Sequence, residues 1–250
     1  MSDFIESVEV QEQESATKRE SVITDFMAFK ESINLTEQEI YQEIYRCNQE
    51  HLQVKEATAI KNLKIIVSAT LELANEKGFQ AMSLRDLSAK TSMSMGALYT
   101  YIRSKEDLVR IIQGQGLMLA QKIFYEQIEN IEEPHEKLIA ALRIYLYMSE
   151  IMRSWFYFSY MEAKNLTGPE KRKALETELQ SHTTFSDVIH TGIEKGVFNR
   201  VNVELTAATF KALLQDWYLK PWKYEHFEIS VDDYAQYLEE TANKMLSVQA

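Results

Sequence analysis

Apolar positions recur every three or four residues along most of this chain, which is the spacing of an amphipathic helix. Between residues 59 and 77, Leu63, Ile66, Val67, Thr70, Leu73 and Ala74 share one face, and Gly78 follows as a stop. Ile40, Tyr41, Ile44 and Tyr45 mark an earlier helix running toward Leu52. Its predicted start has Thr36 as cap, Glu39 reaching back and Leu35 stapled onto Ile40. A fainter face of Val22, Phe26 and Phe29 precedes it, and residues 1–20 read as a polar, acidic, disordered lead. Ser83 and Asp86 open a short helix ending near Thr91-Ser92. Ser94 caps a second short helix to about Ile102, and Ser104 with Asp107 opens a long one to about Ile128. Pro134 suits the first turn of the next helix, and residues 137–161 are rich in aromatics and methionine. Gly168-Pro169 then breaks the chain before a long polar helix ending near Gly196. Residues 205–218 and 231–248 are the last two amphipathic segments. No alternating strand, Asn-Gly or Asp-Gly hairpin stands out, so the pattern predicts an all-α protein.

Composition agrees: 250 residues contain only 7 Gly and 3 Pro, too few turn formers for a sheet protein. An apolar content of 45% supports a sizeable core in one or two domains. Cys47 stands alone, which excludes an intrachain disulfide and disfavours a thiolate zinc site. No basic-then-apolar leader begins the chain, and the densest apolar run, residues 155–161, is far too short to span a bilayer. The expectation is a cytoplasmic soluble protein with no membrane partner.

A net charge of -11 disfavours nucleic acid until its distribution is considered. Residues 1–54 carry four basic residues against twelve acidic ones, whereas residues 55–105 carry eight basic against four acidic. Positive charge therefore collects on the segment with two short capped helices. Residues 83–102 give a short helix, a tight turn and a second short helix, and Leu87, Met93 and Leu98 are spaced to meet between them. Three-helix units of this layout lay their last helix in the major groove of DNA. Its outward residues would be Met95, Ala97 and Thr100, with Gly96 allowing close backbone approach. Ala and Met can touch a thymine methyl and Thr can hydrogen-bond, but no Asn or Gln is present for bidentate adenine contact. Base discrimination then falls partly to Arg85 and to DNA shape. Tyr99, Tyr101, Ser83, Ser94 and Lys105 are the expected phosphate contacts, Lys105 from a helix N-terminus.

Over residues 60–110 the chain resembles the TetR family of bacterial transcriptional regulators. That family's pattern resembles Gly-Val-Ser-x-Gly-x-Leu-Tyr-x-Tyr/His-Phe-x-x-Lys-x-x-Leu, preceded by Thr-x-x-x-Ile-Ala. Ser94, Gly96, Leu98, Tyr99, Tyr101, Lys105 and Leu108 stand at the matching positions. Ser83, Leu87 and Ser88 replace its Thr, Ile and Ala, and Ser92, Met93 and Ile102 replace its Gly, Val and Phe. The resemblance implies an N-terminal three-helix DNA-binding domain with a helix-turn-helix, and a larger helical effector-binding and dimerisation domain. It also implies a homodimer on double-stranded operator DNA, with the last two helices in a four-helix interface. The boundaries expected are an acidic, partly helical N-terminal extension at 1–54, the DNA-binding domain at 55–103 and the effector domain at 104–250.

For the effector, the aromatic and methionine cluster suggests an apolar pocket for a small hydrophobic or aromatic molecule. Its expected lining is Tyr147, Met148, Met152, Trp155, Phe156, Phe158, Tyr160 and Trp217. Gly114 and Gly116 lie in the helix joining the two domains, as close packing or as a compliant point. His182 and His190, two turns apart, are spaced too widely for one ion, so no metal and no cofactor is expected. Neither a Gly-x-Ser-x-Gly motif nor a phosphate loop is present, which leaves an enzyme without a visible site. The reading is a repressor released from its operator by its effector. The rival is a DNA-binding protein without an effector, acting in division or chromosome organisation.

Overall fold

The structure is a computed structural model, and it describes residues 23–33, 37–49, 52, 54–166 and 168–246. Among these there is no strand; the protein is all-α. The expected cap at Thr36, the Leu35 staple and the disordered lead at 1–20 lie outside the described residues. The chain divides into two compact units, residues 1–34 and 35–250. In the first, α1 (Phe26–Ser32) is capped by Asp25, whose carboxylate accepts from the Ala28 amide at 2.9 Å.

The second unit opens with α2 (Glu37–Asn48), which packs on α3 (Glu56–Lys77). Ile40, Tyr41 and Ile44 of α2 are buried, and each contributes roughly 1.5–3 kcal/mol. The latter part of the acidic extension is thus built into the body of the protein. Helix α3 ends at Gly78, whose φ of 81° suits a residue without Cβ. Two short helices follow, α4 (Leu84–Thr91) and α5 (Met95–Tyr99). Leu63, Ile66, Val67, Leu87, Leu98, Ile102 and Leu108 form their common core, all essentially buried.

The long helix expected from Ser104 begins as α6 (Lys105–Val109) and ends as α7 (Leu117–Ile128). Between them, Arg110–Gly116 winds as a π-helix, which the periodicity did not signal. Helix α8 (Pro134–Ile151) starts with Pro134 in its first turn, as expected, and is separated at Met152 from α9 (Arg153–Glu162). A 3₁₀ turn (Ala163–Asn165) leads to α10 (Gly168–Glu194), then α11 (Val203–Leu219), α12 (Pro221–His226) and α13 (Val231–Leu246). Pro221 opens α12 rather than only closing its predecessor. Helix α8 is the hub of this half, packing against α7, α10, α11 and α13 through Leu138, Leu142, Leu146, Phe185, Phe210 and Leu238.

Candidate nucleic-acid interface and effector cavity

Helix α4 is fixed at its start by a full capping box. The Asp86 amide donates to Ser83 Oγ at 3.2 Å, and the Ser83 amide donates to the Asp86 carboxylate at 2.7 Å. Lys77 adds an ion pair to Asp86 at 2.8 Å, and these partners hold that carboxyl well below the usual range. The turn closes through Ser92, which adopts φ 57°, ψ 23° where a glycine would be at ease. Ser88 Oγ donates to the Met93 carbonyl at 2.5 Å and holds the turn from within. Leu87 and Leu98 are both fully buried, while Met93 is only half-buried.

Ser94 caps α5, accepting from the Ala97 amide at 3.2 Å. Beyond that cap the helix faces solvent: Gly96, Ala97, Tyr99 and Thr100 are exposed, Tyr99 by 50%, and Met95 is half-buried. A Cβ added at Gly96 would meet nothing within 4 Å. Arg85 and Ser83 are exposed on the preceding helix, and Arg85 has no ion-pair partner among the described residues. The surrounding positive charge is less available than its count suggested. Lys90 is paired with Glu72 at 2.9 Å and Glu76 at 3.3 Å, and Lys77 with Asp86.

Two of the expected phosphate contacts have partners inside the protein. Lys105 Nζ donates to the Phe79 carbonyl at 2.6 Å and the Gln80 carbonyl at 3.1 Å, and lies 4.6 Å from the Phe79 ring centre. Burial pushes its pKa down. Tyr101 Oη accepts from Asn62 Nδ2 at 2.6 Å. Tyr101 ties the end of the helix-turn-helix to α3, and Lys105 ties it to the carbonyls just beyond α3, where a helix C-terminus attracts a cation.

A cavity of about 100 Å³ lies between α7, α8, α9, α10 and α11. Of the expected lining, Met148, Phe156 and Tyr160 are there. The others serve elsewhere. Tyr147 donates to Asp232 at 2.7 Å, and Trp217 stacks on Tyr234 at 5.1 Å while its indole N–H reaches Glu150 at 2.8 Å. Phe158 meets Phe79 edge-on at 5.1 Å, and Trp155 packs on the backbone of Gly116 and near Tyr41. Met152, Trp155 and Phe158 instead line a wide cleft of about 1000 Å³ alongside α2 and α3. Tyr145, also in the lining, belongs to the aromatic segment marked in the sequence, whereas sequence reading missed Leu117, Ala120, Gln121, Phe124, Tyr125, Ser159, Thr177, Ser181 and Tyr218. Phe124 and Tyr125 were the accessible signal, an aromatic pair on the linking helix.

The far wall of the cavity is backed by a buried cation. Lys211 Nζ donates to Ser181 Oγ at 2.8 Å and to Tyr145 Oη at 3.0 Å, with Glu178 at 3.5 Å. Burial pushes the Lys211 pKa down and those of Tyr145 and Tyr218 up, so both phenols stay protonated. A second space of about 250 Å³ adjoins the first, since Leu117, Ser159 and Thr177 line both. Arg110, Glu170 and Lys173 stand in its wall. His182 bonds to Glu204 at 2.7 Å, and no cluster of metal ligands occurs among the described residues. No described helix is long and apolar enough to cross a membrane.

An exposed short helix, capped by serine and held against two neighbours, is the reading head of helix-turn-helix DNA-binding regulators. Residues 66–112 match the family model described as bacterial regulatory proteins, tetR family, and residues 132–222 match the tetracyclin repressor-like C-terminal domain. The chain belongs to the TetR family and is a DNA-binding transcriptional regulator. The HTH-type transcriptional regulator HbdR of Aromatoleum sp. (strain CIB) is 23% identical over 176 residues, covering 70% of this chain and 75% of that protein. A tetR-family regulatory protein from Rhodococcus RHA1 superposes with a TM-score of 0.68 at 20% identity, over 75% of this chain and 97% of that one. AibR in complex with isovaleryl coenzyme A and operator DNA superposes with a TM-score of 0.64 at 18% identity, over 71% and 96%.

Proposed function

We propose that the protein is a dimeric repressor whose operator affinity falls when a small apolar or aromatic effector enters the cavity of the body. The observation that carries this reading is the double use of α9. Phe156, Ser159 and Tyr160 line the cavity, while Phe158 and Glu162 on another face hold the head. Phe158 packs on Phe79, and Glu162 accepts from Gln80 Nε2 at 3.1 Å. Filling the cavity would move α9, and with it the residues just after α3 on which the reading head is built. That AibR is seen in complex with both isovaleryl coenzyme A and operator DNA supports this division of labour.

On the DNA side, Arg85, Met95, Gly96, Ala97 and Thr100 meet base edges, and Ser83, Ser94 and Tyr99 meet phosphates. Tyr101 and Lys105 act by holding the head in shape. Two heads would sit about 34–36 Å apart on a near-palindrome. The dimer interface is formed by α10 and α11. Leu175, Leu179 and Leu205 are 54%, 63% and 67% exposed there, next to exposed Ala208 and Ala212, whereas the outer face of α13 is mostly charged. The head comprises residues 55–103 and the effector body the remainder from 104, with α2 bracing both.

Footprinting on the gene's own upstream region tests the reading, repeated with isovaleryl coenzyme A and aromatic acids. A protected near-palindrome is expected, released by at least one such compound. Arg85→Ala and Tyr99→Ala should each weaken protection by about 5- to 100-fold. Full protection with both variants, or no protection at any concentration, would sink it.

A further inference from the structure

The cavity wall is largely apolar, and two of its polar side chains are left unanswered. Gln121 Nε2 and Ser159 Oγ are buried with no hydrogen-bond partner among the described residues, and both residues line the cavity. Buried polar groups nearly always find a partner, so two orphans around one empty space point to a missing ligand group. Both can donate, Gln121 through its amide and Ser159 through its hydroxyl. Ser159 also lines the adjoining space, so it stands at the junction of the two. Its carbonyl is held by Gln113 Nε2 at 3.2 Å.

Charge divides the two spaces. Among the described residues no ionised side chain lines the inner cavity, and Lys211 stands behind Tyr145 and Ser181 with its bonds already made. A carboxylate there would be buried without a counter-ion. The outer space has Arg110 and Lys173 against the single acid Glu170. Arg110 is paired with Asp107 at 2.7 Å. Lys173 Nζ reaches the Gly114 carbonyl at 3.4 Å and Met118 Sδ at 3.1 Å, and has no carboxylate partner among the described residues.

We infer that the effector is a two-part molecule: a small uncharged acyl or aryl group in the inner cavity, whose acceptor oxygen lies between Gln121 Nε2 and Ser159 Oγ, and an anionic portion over Lys173. This rests on the effector reading above and narrows it. A carbonyl of a thioester, ester or amide satisfies it, and so does an uncharged hydroxyl on the buried group. A plain hydrocarbon and a carboxylate seated in the inner cavity do not.

Calorimetry on the full-length protein tests this with isovaleryl coenzyme A, its carbonyl-free thioether analogue, and isovalerate. The thioester should bind at least about tenfold more tightly than the thioether, the factor expected for one hydrogen bond. Gln121→Leu and Ser159→Ala should each shrink that ratio toward one, with wild-type far-UV circular dichroism and a cooperative thermal transition as the check on folding. Lys173→Ala should weaken thioester and thioether alike. A pair of alcohol and alkane coenzyme A thioethers, differing by one hydroxyl, separates the two sources of the oxygen. If a probe binds but neither oxygen-bearing compound exceeds its oxygen-free partner, or isovalerate matches the thioester, the inference falls and the effector cavity stands. If nothing binds, and aromatic acids also fail to release DNA, both fall.

Discussion

Ser92 concentrates the residue-scale physics of the reading head. It holds a left-handed conformation that costs a residue with a Cβ roughly 1–2 kcal/mol. Ser92→Gly should therefore stabilise the protein by about 0.5–1 kcal/mol after the unfolded chain's added freedom is counted. Thermal unfolding should show a midpoint raised by about 1–4 °C, and an unchanged or lower midpoint would mean the turn carries no strain. The same scale explains why some residues were legible in sequence and others were not. Ser83, Asp86 and Ser94 were readable because capping is a local bargain struck within three residues. Lys105 was not, because its carbonyl partners lie 25 and 26 residues away.

At the scale of elements, the linking helix departs most from its sequence pattern. Arg110–Gly116 is wound as a π-helix with α2 and α9 packed against it. A Cβ at Gly116 would run into the Trp155 ring, whereas one at Gly114 would make ordinary contact with Lys173 Nζ at 3.6 Å. The two glycines should thus respond in opposite directions. Gly116→Ala is expected to cost about 1–3 kcal/mol through overpacking, and Gly114→Ala to be neutral or stabilising by up to about 1 kcal/mol. Chemical denaturation of the two variants separates them; equal losses would refute the packing role of Gly116. The glycine pair, expected as close packing or as a compliant point, thus has a close contact at Gly116 and room for a Cβ at Gly114. Periodicity could not reveal this, because a π turn keeps the chain helical and only shifts which face each residue occupies.

For the whole molecule, the proposed dimer makes the sharpest prediction. Leu179→Glu combined with Leu205→Glu should yield a folded monomer by sedimentation, since both leucines already face solvent in the single chain. Operator affinity should drop by at least about 100-fold, because a lone head loses the second half-site's contribution. A dimer persisting in that variant would move the interface elsewhere. Stability should also depend on alkaline pH. Burial holds Tyr145, Tyr218 and Tyr234 protonated far up the pH scale, and Tyr224 is pushed up to about 12 with Asp216 adding to the effect. In the unfolded chain these phenols ionise near 10, so the folded state binds more protons above that pH. Stability is therefore complete below pH 10 and is lost as pH rises past it. Phenolate absorbance should climb in two stages, exposed tyrosines first and these four on unfolding; a single stage near pH 10 would contradict their burial.

The sequence by itself determined the helical class, the capped pair of short helices and the family, because each depends on interactions a few residues apart. It also marked the aromatic segment from which part of the cavity is built. Only the tertiary structure decided which aromatics see that cavity. Phe156 lines the cavity while Trp155, its neighbour, packs on Gly116, and two residues further on Phe158 packs on Phe79. A helix apolar on several faces leaves their destinations open until its neighbours are in place. Gln121 and Ser159 were silent in the sequence for the same reason: a polar residue becomes an unanswered donor only once packing has removed its water.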